Sequence, residues 1–301
     1  MIKIFSILFE YASAFVGAAI YYEVYKNKID RFEKSCYIFV GIILNPLVIL
    51  DGAMWGQCDY IYTFFILSSI LFLIKKRWSI SFLLLGIAFT FKLQTILVVP
   101  VYILYYFISD EFSILYFLNI PIVYILGGLP AVLLGRSAKS VYSIYLRQTS
   151  SYQSMSLSCP NLCALLPDSY EWLAKYMIII TCAGLIAVFI MILHRKRNIS
   201  EKELVLLFLW SNMTCIMMLP GMHERYIVVF HVLSIVLYLC HSRYFFIPFI
   251  LSLIGVLSYC KYLLGSIIIE IPILAMFQLL MYGIISYNLI CFIESEENNF
   301  N

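Results

Sequence analysis

The sequence predicts an all-α polytopic membrane protein, a class indicated by its composition, its apolar runs and the position of its charges. Of the 301 residues, 63% are hydrophobic and 12% are charged, and the mean hydropathy is +0.95. A soluble globular domain has about 25% charged residues. Apolar runs of roughly 20 residues, the length that crosses a bilayer, recur along almost the whole chain. These features exclude a water-soluble enzyme, a disordered tail and a fibrous repeat, and a net charge of +3 does not indicate a nucleic-acid partner.

Eleven apolar runs predict about eleven transmembrane helices in a single transmembrane domain that covers residues 1–301. The fourth and fifth runs are short for a crossing, which takes about 20 residues. Alternatively, the two runs together can form one helix of about 45 Å, at 1.5 Å per residue. A single helix in place of two would invert the membrane orientation of every later segment of the chain. In order, the runs are 4–25, 35–50, 59–74, 79–91, 95–108, 112–134, 173–193, 203–220, 226–241, 244–262 and 267–293.

The positive-inside rule decides between these topologies, because cytoplasmic loops carry an excess of Lys and Arg. With two separate short helices, the basic segments 26–34, 75–77 and 194–202 all lie inside. With one long helix, the strongly basic segment 194–202 lies outside. The rule therefore favours eleven crossings, an outside N terminus, an outer loop at 136–172 and an acidic cytoplasmic tail at 294–301. An outside N terminus without a signal peptide is easier to understand if a further segment precedes it.

This topology places four polar clusters on the outer face of the membrane, and we expect them to form one site. The predicted location is the cytoplasmic membrane, with a multi-pass chain whose active face is outside. Cys159 and Cys163 share the outer loop, and the sequence leaves open whether they pair. The clusters are WGQCD (55–59), FKLQ (91–94), the loop 136–172 and GMHERY (221–226).

Lys92 is the most informative single residue, because an unpaired ammonium costs about 2.5–3.5 kcal/mol near the bilayer centre. One explanation is that its long side chain extends to the lipid headgroups. The other is that Lys92 faces a polar cavity and binds an anion, with the amide of Gln94 as a hydrogen-bond partner. The nearby Pro100 is compatible with a short or broken helix.

Gln57 and Asp59 place an amide and a carboxylate two residues apart at the start of a predicted helix. Asp59 has two possible roles, which are to cap that helix or to accept a proton in catalysis. Trp55 alone is typical of the aromatic belt at a membrane interface.

The GMHERY segment places His223, Glu224, Arg225 and Tyr226 between two apolar runs. Such a segment is often a solvated turn, but an arginine at a lipid interface is suited to bidentate phosphate binding. The sequence predicts no metal site, because HExxH is absent and His223 and His231 have the wrong spacing for one helix face. It predicts no cofactor either, since nucleotide-binding motifs and the GxSxG serine motif are absent.

Three segments resemble a family of bacterial integral-membrane mannosyltransferases, which are related to the second mannosyltransferase of GPI-anchor assembly and have the GT-C architecture. The segments are NPLVILDGAMWGQCDYIYTFFIL, LLLGIAFTFKLQTILVVPVYIL and LPGMHERYIVVFHVLSIVLYL. They match the family pattern of an Asn-Pro turn, WGQxD, K-x-Q and M-H-E-R-Y in the same order. The resemblance covers roughly residues 1–240. It implies a polyprenyl-phosphate sugar donor, used on the outer side of the membrane, in a cavity lined by Trp55, Gln57, Asp59, Lys92, Gln94, His223, Glu224, Arg225 and Tyr226.

The chain departs from the family pattern at its start. Family members begin with another transmembrane helix and then a large outer loop, which carries the acidic residue expected to be the catalytic base. In this chain, the segment after Met1 resembles the helix that follows that loop. We therefore expect a truncated chain, a separately encoded N-terminal fragment or subunit, or another acid as the base. Asp59 is the first candidate and Glu224 the second, while Glu10 and Glu270 lie in apolar runs far from any motif.

The resulting hypothesis is a glycosyltransferase that moves a mannose-like hexose from polyprenyl phosphate to an envelope glycan or a lipid-linked acceptor. Arg225 and Lys92 are the expected phosphate ligands. Trp55, Gln57, Gln94, His223 and Tyr226 are the expected contacts to the sugar or the phosphate.

Three alternatives stay open. A capsule or O-antigen polymerase would be expected to have a larger, arginine-rich outer loop, but segment 136–172 contains only Arg136 and Arg147. A non-catalytic remnant or subunit of a split glycosyltransferase would keep the fold without turnover. A transporter would need paired charges inside the membrane and an internal repeat, and no repeat is evident.

Overall fold

The computed structural model describes residues 2–195 and 199–294, and these residues form an almost entirely helical protein. The first half contains α1 (Ile2–Val24), α2 (Arg31–Ile43), α3 (Pro46–Ile49), α4 (Asp59–Ile74), α5 (Trp78–Phe91), α6 (Val99–Ser109) and α7 (Asn119–Leu133). The second half contains α8 (Ala138–Tyr142), α9 (Ile144–Ser151), α10 (Tyr170–His194), α11 (Glu201–Met218), α12 (Val228–Tyr238), α13 (Phe246–Leu263) and α14 (Ile271–Glu294). The predicted all-α class is therefore confirmed.

Several short elements connect the helices. Two-residue strands β1 (Ser156–Leu157) and β2 (Met222–His223) pair in parallel. A π-helical turn spans Leu50–Trp55, and 3-10 turns span Leu93–Val98, Ile114–Leu118, Leu162–Leu165 and Glu224–Ile227.

Among the described residues, five helices are long and apolar enough to cross a membrane. A sixth candidate is the bent pair Arg31–Ile43 and Pro46–Trp55, whose two parts are inclined by 44°. Helix length and composition thus indicate a membrane protein and support a crossing for five or six of the predicted runs. The five are Lys3–Val24, Ile114–Leu133, Tyr170–His194, Phe246–Leu263 and Ile271–Glu294.

The bend in the second predicted run occurs at Asn45-Pro46. A proline disfavours helical backbone in the preceding residue, and Asn45 is extended while Pro46 begins α3. The Asn45 side chain accepts hydrogen bonds from the Leu47 N–H (3.0 Å) and from the Ser252 hydroxyl (2.8 Å). These bonds cap α3 and attach the bend to α13.

The fourth and fifth runs form two separate helices, so the single long helix is excluded. The α5 helix ends at Lys92, whose backbone is extended (φ −154°, ψ 131°). The chain then returns through the turn Leu93–Val98 and α6. A salt bridge of 2.5 Å from Lys76 to Glu111 joins the segment before α5 to the segment after α6. The chain therefore runs from one end of the helical bundle to the other and back.

Ion pairs connect the basic loops at one end of the bundle, which we call the basic end. Lys75 contacts Glu23 at 2.9 Å, and Lys26 contacts Glu201 at 2.7 Å. The hydrogen bond that Lys26 donates to Glu201 raises the pKa of Lys26. Arg195, which flanks the basic segment 194–202, donates to the Ile293 carbonyl oxygen at 2.8 Å. Residues 196–198 and most of the predicted tail at 294–301 lie outside the described residues.

The buried core is centred on α11 and α12. Every residue from Leu204 to Met217 and from Val228 to Tyr238 is buried. In contrast, no residue of α7 is buried, and large apolar side chains of α7 and α10 are exposed. A surface of this kind is suited to contact with lipid acyl chains.

The predicted outer loop 136–172 is folded. It contains α8, α9 and β1, and Met155 and Cys163 form a small hydrophobic cluster with Met177 of α10. Cys159 and Cys163 are both buried and unpaired. Because β1 pairs with β2, this loop is attached to the GMHERY segment.

Candidate functional site

The predicted polar clusters meet at the end of the bundle opposite the basic end, which we call the site end. The π-helical turn Leu50–Trp55 and the start of α4 contribute the WGQCD residues. The break between α5 and α6 contributes Lys92 and Gln94, and the turn Glu224–Ile227 contributes the GMHERY residues. The N-terminal turn of α1 lies beside them, since the Ser6 hydroxyl donates to the Gln57 carbonyl oxygen at 2.6 Å.

Lys92 forms an ion pair with Asp59 at the centre of this end. The Asp59 side chain is fully buried, and the Lys92 side chain is only 14% exposed. The Lys92 ammonium also lies 5.0 Å from the ring centre of Tyr62 and 4.7 Å from that of Tyr226. An aromatic face attracts a cation at this distance. Lys92 is therefore paired with a buried carboxylate and mostly buried itself, which disfavours the extension of its side chain to the headgroups.

The same pair bears on the two roles considered for Asp59. The residue before α4 is Cys58, and no side-chain hydrogen bond caps this helix in the described structure. One Asp59 oxygen contacts Lys92 instead. Asp59 therefore makes no capping hydrogen bond, although its carboxylate lies in the first turn of α4, where it interacts favourably with the helix dipole. Its second oxygen is buried and has no partner among the described residues.

Arg225 is held by two residues of the WGQCD segment. Its Nη1 donates to Gln57 Oε1, and its guanidinium lies 5.9 Å from the ring centre of Trp55. The Nε–H of Arg225 is buried without a partner among the described residues. Leaving such a donor unsatisfied costs about 1–3 kcal/mol, so an anion that accepts from Nε would bind favourably here.

Trp55 is itself fixed by α13, a helix that the sequence analysis did not connect with the site. The Trp55 ring stacks on Tyr262 with 5.7 Å between ring centres and meets Tyr259 edge-on at 5.2 Å. Both tyrosines lie in or at the end of an apolar run without a motif. Only their contacts in the folded chain indicate this role.

His223 and Glu224 lie side by side, with 3.9 Å between His223 Nδ1 and Glu224 Oε2. Glu224 is 1% exposed, and its Oε2 has no hydrogen-bond partner among the described residues. The His223 ring meets the rings of Tyr152 and Tyr226 edge-on, each with 5.3 Å between ring centres. Glu224 is thus a second buried carboxylate that is available to accept a proton.

Glu10 belongs to this region, although the sequence analysis placed it far from any motif. Its carboxyl group packs against Gly52 in the π-helical turn, so closely that a Cβ atom on Gly52 would lie 1.7 Å from Glu10 Oε1. The neighbouring Asp51 is fully buried and accepts from the Tyr259 hydroxyl at 3.3 Å. An acidic residue within a membrane span is by itself a sign of function, and that sign was present in the sequence.

Four buried carboxyl groups and two cations therefore share the site end. The carboxyl groups are those of Glu10, Asp51, Asp59 and Glu224, and the cations are Lys92 and Arg225. Burying unpaired carboxylates is costly. The buried acids outnumber the cations here. In the described part of the chain, no group of three or more His, Cys, Asp and Glu residues could hold a metal ion.

A cavity of about 250 Å³ adjoins the ion pair. Gln94, His223 and Tyr226 line it together with Gln148 and Tyr152, which the sequence analysis did not single out. The structure thus separates the predicted residues into two groups. One group surrounds the two cations and contains Lys92, Asp59, Gln57, Arg225 and Trp55. The other group faces the cavity and contains Gln94, His223 and Tyr226.

The site end therefore combines cations, buried carboxylates and a polar cavity within one helical bundle, an arrangement suited to binding an anion beside a proton acceptor. The resemblance to the mannosyltransferase family stays a prediction, since comparisons with known proteins find no family model that matches the chain and no curated protein that matches it.

Proposed function

We propose that this protein is a GT-C-type membrane glycosyltransferase that transfers a mannose-like hexose from a polyprenyl phosphate to an envelope glycan or a lipid-linked acceptor. In this proposal the chain crosses the cytoplasmic membrane eleven times and the site end faces outward. The observation that carries the proposal is the close arrangement of Arg225, with an unpartnered Nε–H, and the Lys92–Asp59 pair at one end of the bundle. Such a site can bind a phosphate ester and accept a proton from a hydroxyl group.

Arg225 is the primary phosphate ligand. Gln57 and Trp55 hold the guanidinium in place, which reduces the entropy lost when a ligand binds. Arginine presents its donors as a planar fork that matches phosphate oxygens. A phosphate bound to Arg225 leaves the lipid chain free to extend along the apolar surface of the bundle.

Lys92 and Asp59 act together in the transfer step. When the donor phosphate attracts the Lys92 ammonium, the Asp59 carboxylate loses its cation and accepts a proton more readily. Asp59 then takes the proton of the acceptor hydroxyl as that oxygen forms a bond to the anomeric carbon. The bond from the anomeric carbon to the phosphate oxygen breaks, and the phosphate leaves with the electron pair, stabilised by Arg225 and Lys92. Glu224 is the second candidate for the base.

A transporter is the second candidate function, and the buried Lys92–Asp59 pair favours it. Paired charges inside a membrane often mark a substrate or ion pathway. The two functions differ in their products, because a transporter leaves the bond between sugar and phosphate intact.

The test uses purified chain in lipid nanodiscs with a radiolabelled polyprenyl-phosphate hexose and glycan acceptors. We expect release of polyprenyl phosphate and a labelled glycan in the wild type, and loss of both in Asp59→Asn with donor binding retained. An amide keeps the shape of the side chain but does not accept the proton. Arg243→Ala at the basic end is the matched control, because this exposed arginine also lies over an aromatic ring, that of Tyr244.

Two outcomes would contradict the proposal. Transfer that persists in both Asp59→Asn and Glu224→Gln would refute the assignment of the base. Donor binding without turnover in the wild type would instead favour a non-catalytic subunit or remnant.

A further inference from the structure

The cavity beside the ion pair has the chemistry of a sugar-binding pocket. Among the described residues that line it there is no Asp, Glu, Lys or Arg. Its polar groups are amides, hydroxyls and one imidazole, and its walls include three tyrosine rings. A sugar ring has hydroxyl groups at its edge and C–H groups on its faces, so it needs both hydrogen-bonding partners and amphipathic aromatic surfaces.

Gln94 gives the most direct sign of a missing partner. Its Oε1 is buried and accepts no hydrogen bond from the described residues. Leaving a buried acceptor without a donor is unfavourable, and a ligand hydroxyl would supply that donor. The Gln148 side chain lies beside the Tyr226 hydroxyl, so an amide and an aromatic ring meet in the wall of the cavity.

The volume of the cavity restricts the ligand further. At about 250 Å³, it lies below the range of roughly 300–1,000 Å³ that holds drug-sized ligands. It has room for a single monosaccharide unit.

The position of the cavity connects it with the transfer chemistry. The Tyr226 ring is a wall of the cavity and also lies 4.7 Å from the Lys92 ammonium. A sugar in the cavity is therefore one aromatic ring away from the Lys92–Asp59 pair. The charged group on the other side of that ring is the part suited to the phosphate.

We infer that this cavity binds the terminal neutral sugar of the acceptor, with Gln94 and Gln148 contacting its hydroxyl groups and Tyr152 and Tyr226 its C–H face. The assignment of this sugar to the acceptor rests on the proposed function. The binding of a neutral sugar follows from the cavity alone. A charged sugar is disfavoured, because the cavity has no group to neutralise it.

The test measures binding of methyl hexosides and of a methyl glucuronoside to purified chain in nanodiscs by saturation-transfer NMR. We expect at least one neutral methyl hexoside to bind, and the glucuronoside to bind at least tenfold more weakly. Gln148→Leu keeps the volume of the side chain and should weaken hexoside binding at least tenfold, and Tyr152→Ala should do the same. Tyr287→Ala in α14, an exposed tyrosine toward the basic end, is the control and should bind as the wild type does.

Thermal unfolding shows whether each variant is folded. If Tyr152→Ala does not fold, the comparison of Gln148→Leu with the wild type decides the test. Hexoside binding that is unchanged in Gln148→Leu would overturn the inference. So would the absence of hexoside binding in wild-type chain that still binds polyprenyl phosphate, an outcome that leaves the proposed function standing. Hexoside binding without any sugar transfer would support the cavity while the proposed function fails.

Discussion

Lys92 shows how a single charged residue is accommodated within an apolar chain. Its ammonium has a carboxylate partner and two aromatic faces, which stabilise the charge in a mostly buried position. The sequence predicted a functional role for Lys92 because of its apolar surroundings. It did not identify Asp59 as the partner, since 33 residues separate the two and only the return of the chain through α4 and α5 brings them together.

The ion pair gives the first prediction, which concerns stability. Asp59→Asn leaves the Lys92 ammonium buried without a counter-charge, and removing one partner of a buried pair typically costs about 3–5 kcal/mol. The double variant Asp59→Leu with Lys92→Met removes both charges and should recover most of that loss. Thermal unfolding in detergent measures the three proteins side by side. A double variant that is no more stable than Asp59→Asn would show that the pair does not determine the loss.

Arg225 gives the second prediction, which concerns binding. Arg225→Lys keeps the charge but removes the planar fork, so polyprenyl-phosphate binding should weaken by about 1.5–3 kcal/mol, the range for a hydrogen bond to a charged group. Arg243→Lys at the basic end should leave binding unchanged. Titration calorimetry with polyprenyl phosphate measures both variants. Equal affinity in Arg225→Lys and the wild type would remove Arg225 from the phosphate site.

At the scale of elements, the sequence predicted helices well and their interruptions only in part. The apolar runs were sufficient to locate the helices, but the run 35–50 was predicted without the bend at Asn45-Pro46. Glu10 was missed because its partners lie in the π-helical turn, a local geometry that hydrophobicity does not reveal. The outer loop 136–172 was predicted as a polar interruption, but contacts with β2 and α10 order it into short helices and a strand.

The π-helical turn gives the third prediction. Gly52→Ala places a Cβ atom on the Glu10 carboxyl group and should displace it from Gly52 and Asp51, with a loss of about 1–3 kcal/mol for overpacking. In a Glu10→Ala background the same change meets no carboxyl group and should cost much less, which gives a coupling energy of about 0.5–3 kcal/mol. Denaturant unfolding of the four proteins in this cycle measures the coupling. Strictly additive effects would mean that Glu10 and Gly52 are independent.

At the scale of the whole molecule, the two ends of the bundle have different chemistry. The basic end carries exposed or half-exposed ion pairs, such as Lys26–Glu201, which are worth little individually in water. The site end, in contrast, buries the Lys92–Asp59 pair, the Glu224 carboxyl group and the Tyr259 ring. This asymmetry agrees with the positive-inside rule, which assigns the basic end to the cytoplasm. It also explains why the topology derived from charge brought the site residues together before any contact was known.

The last prediction tests that orientation in the cell. Single cysteines replace Lys139 in α8 at the site end and Lys202 in α11 at the basic end, both exposed positions, in a chain whose native cysteines have been removed. A membrane-impermeant maleimide should label the cysteine at 139 in intact cells, whereas the cysteine at 202 should react only after the membrane is opened. The two single-cysteine variants serve as controls for each other, because they differ only in the position of the cysteine. Labelling of position 202 from outside would invert the bundle. The phosphate and sugar sites would then face the cytoplasm, and a donor used on the outer side could not reach them.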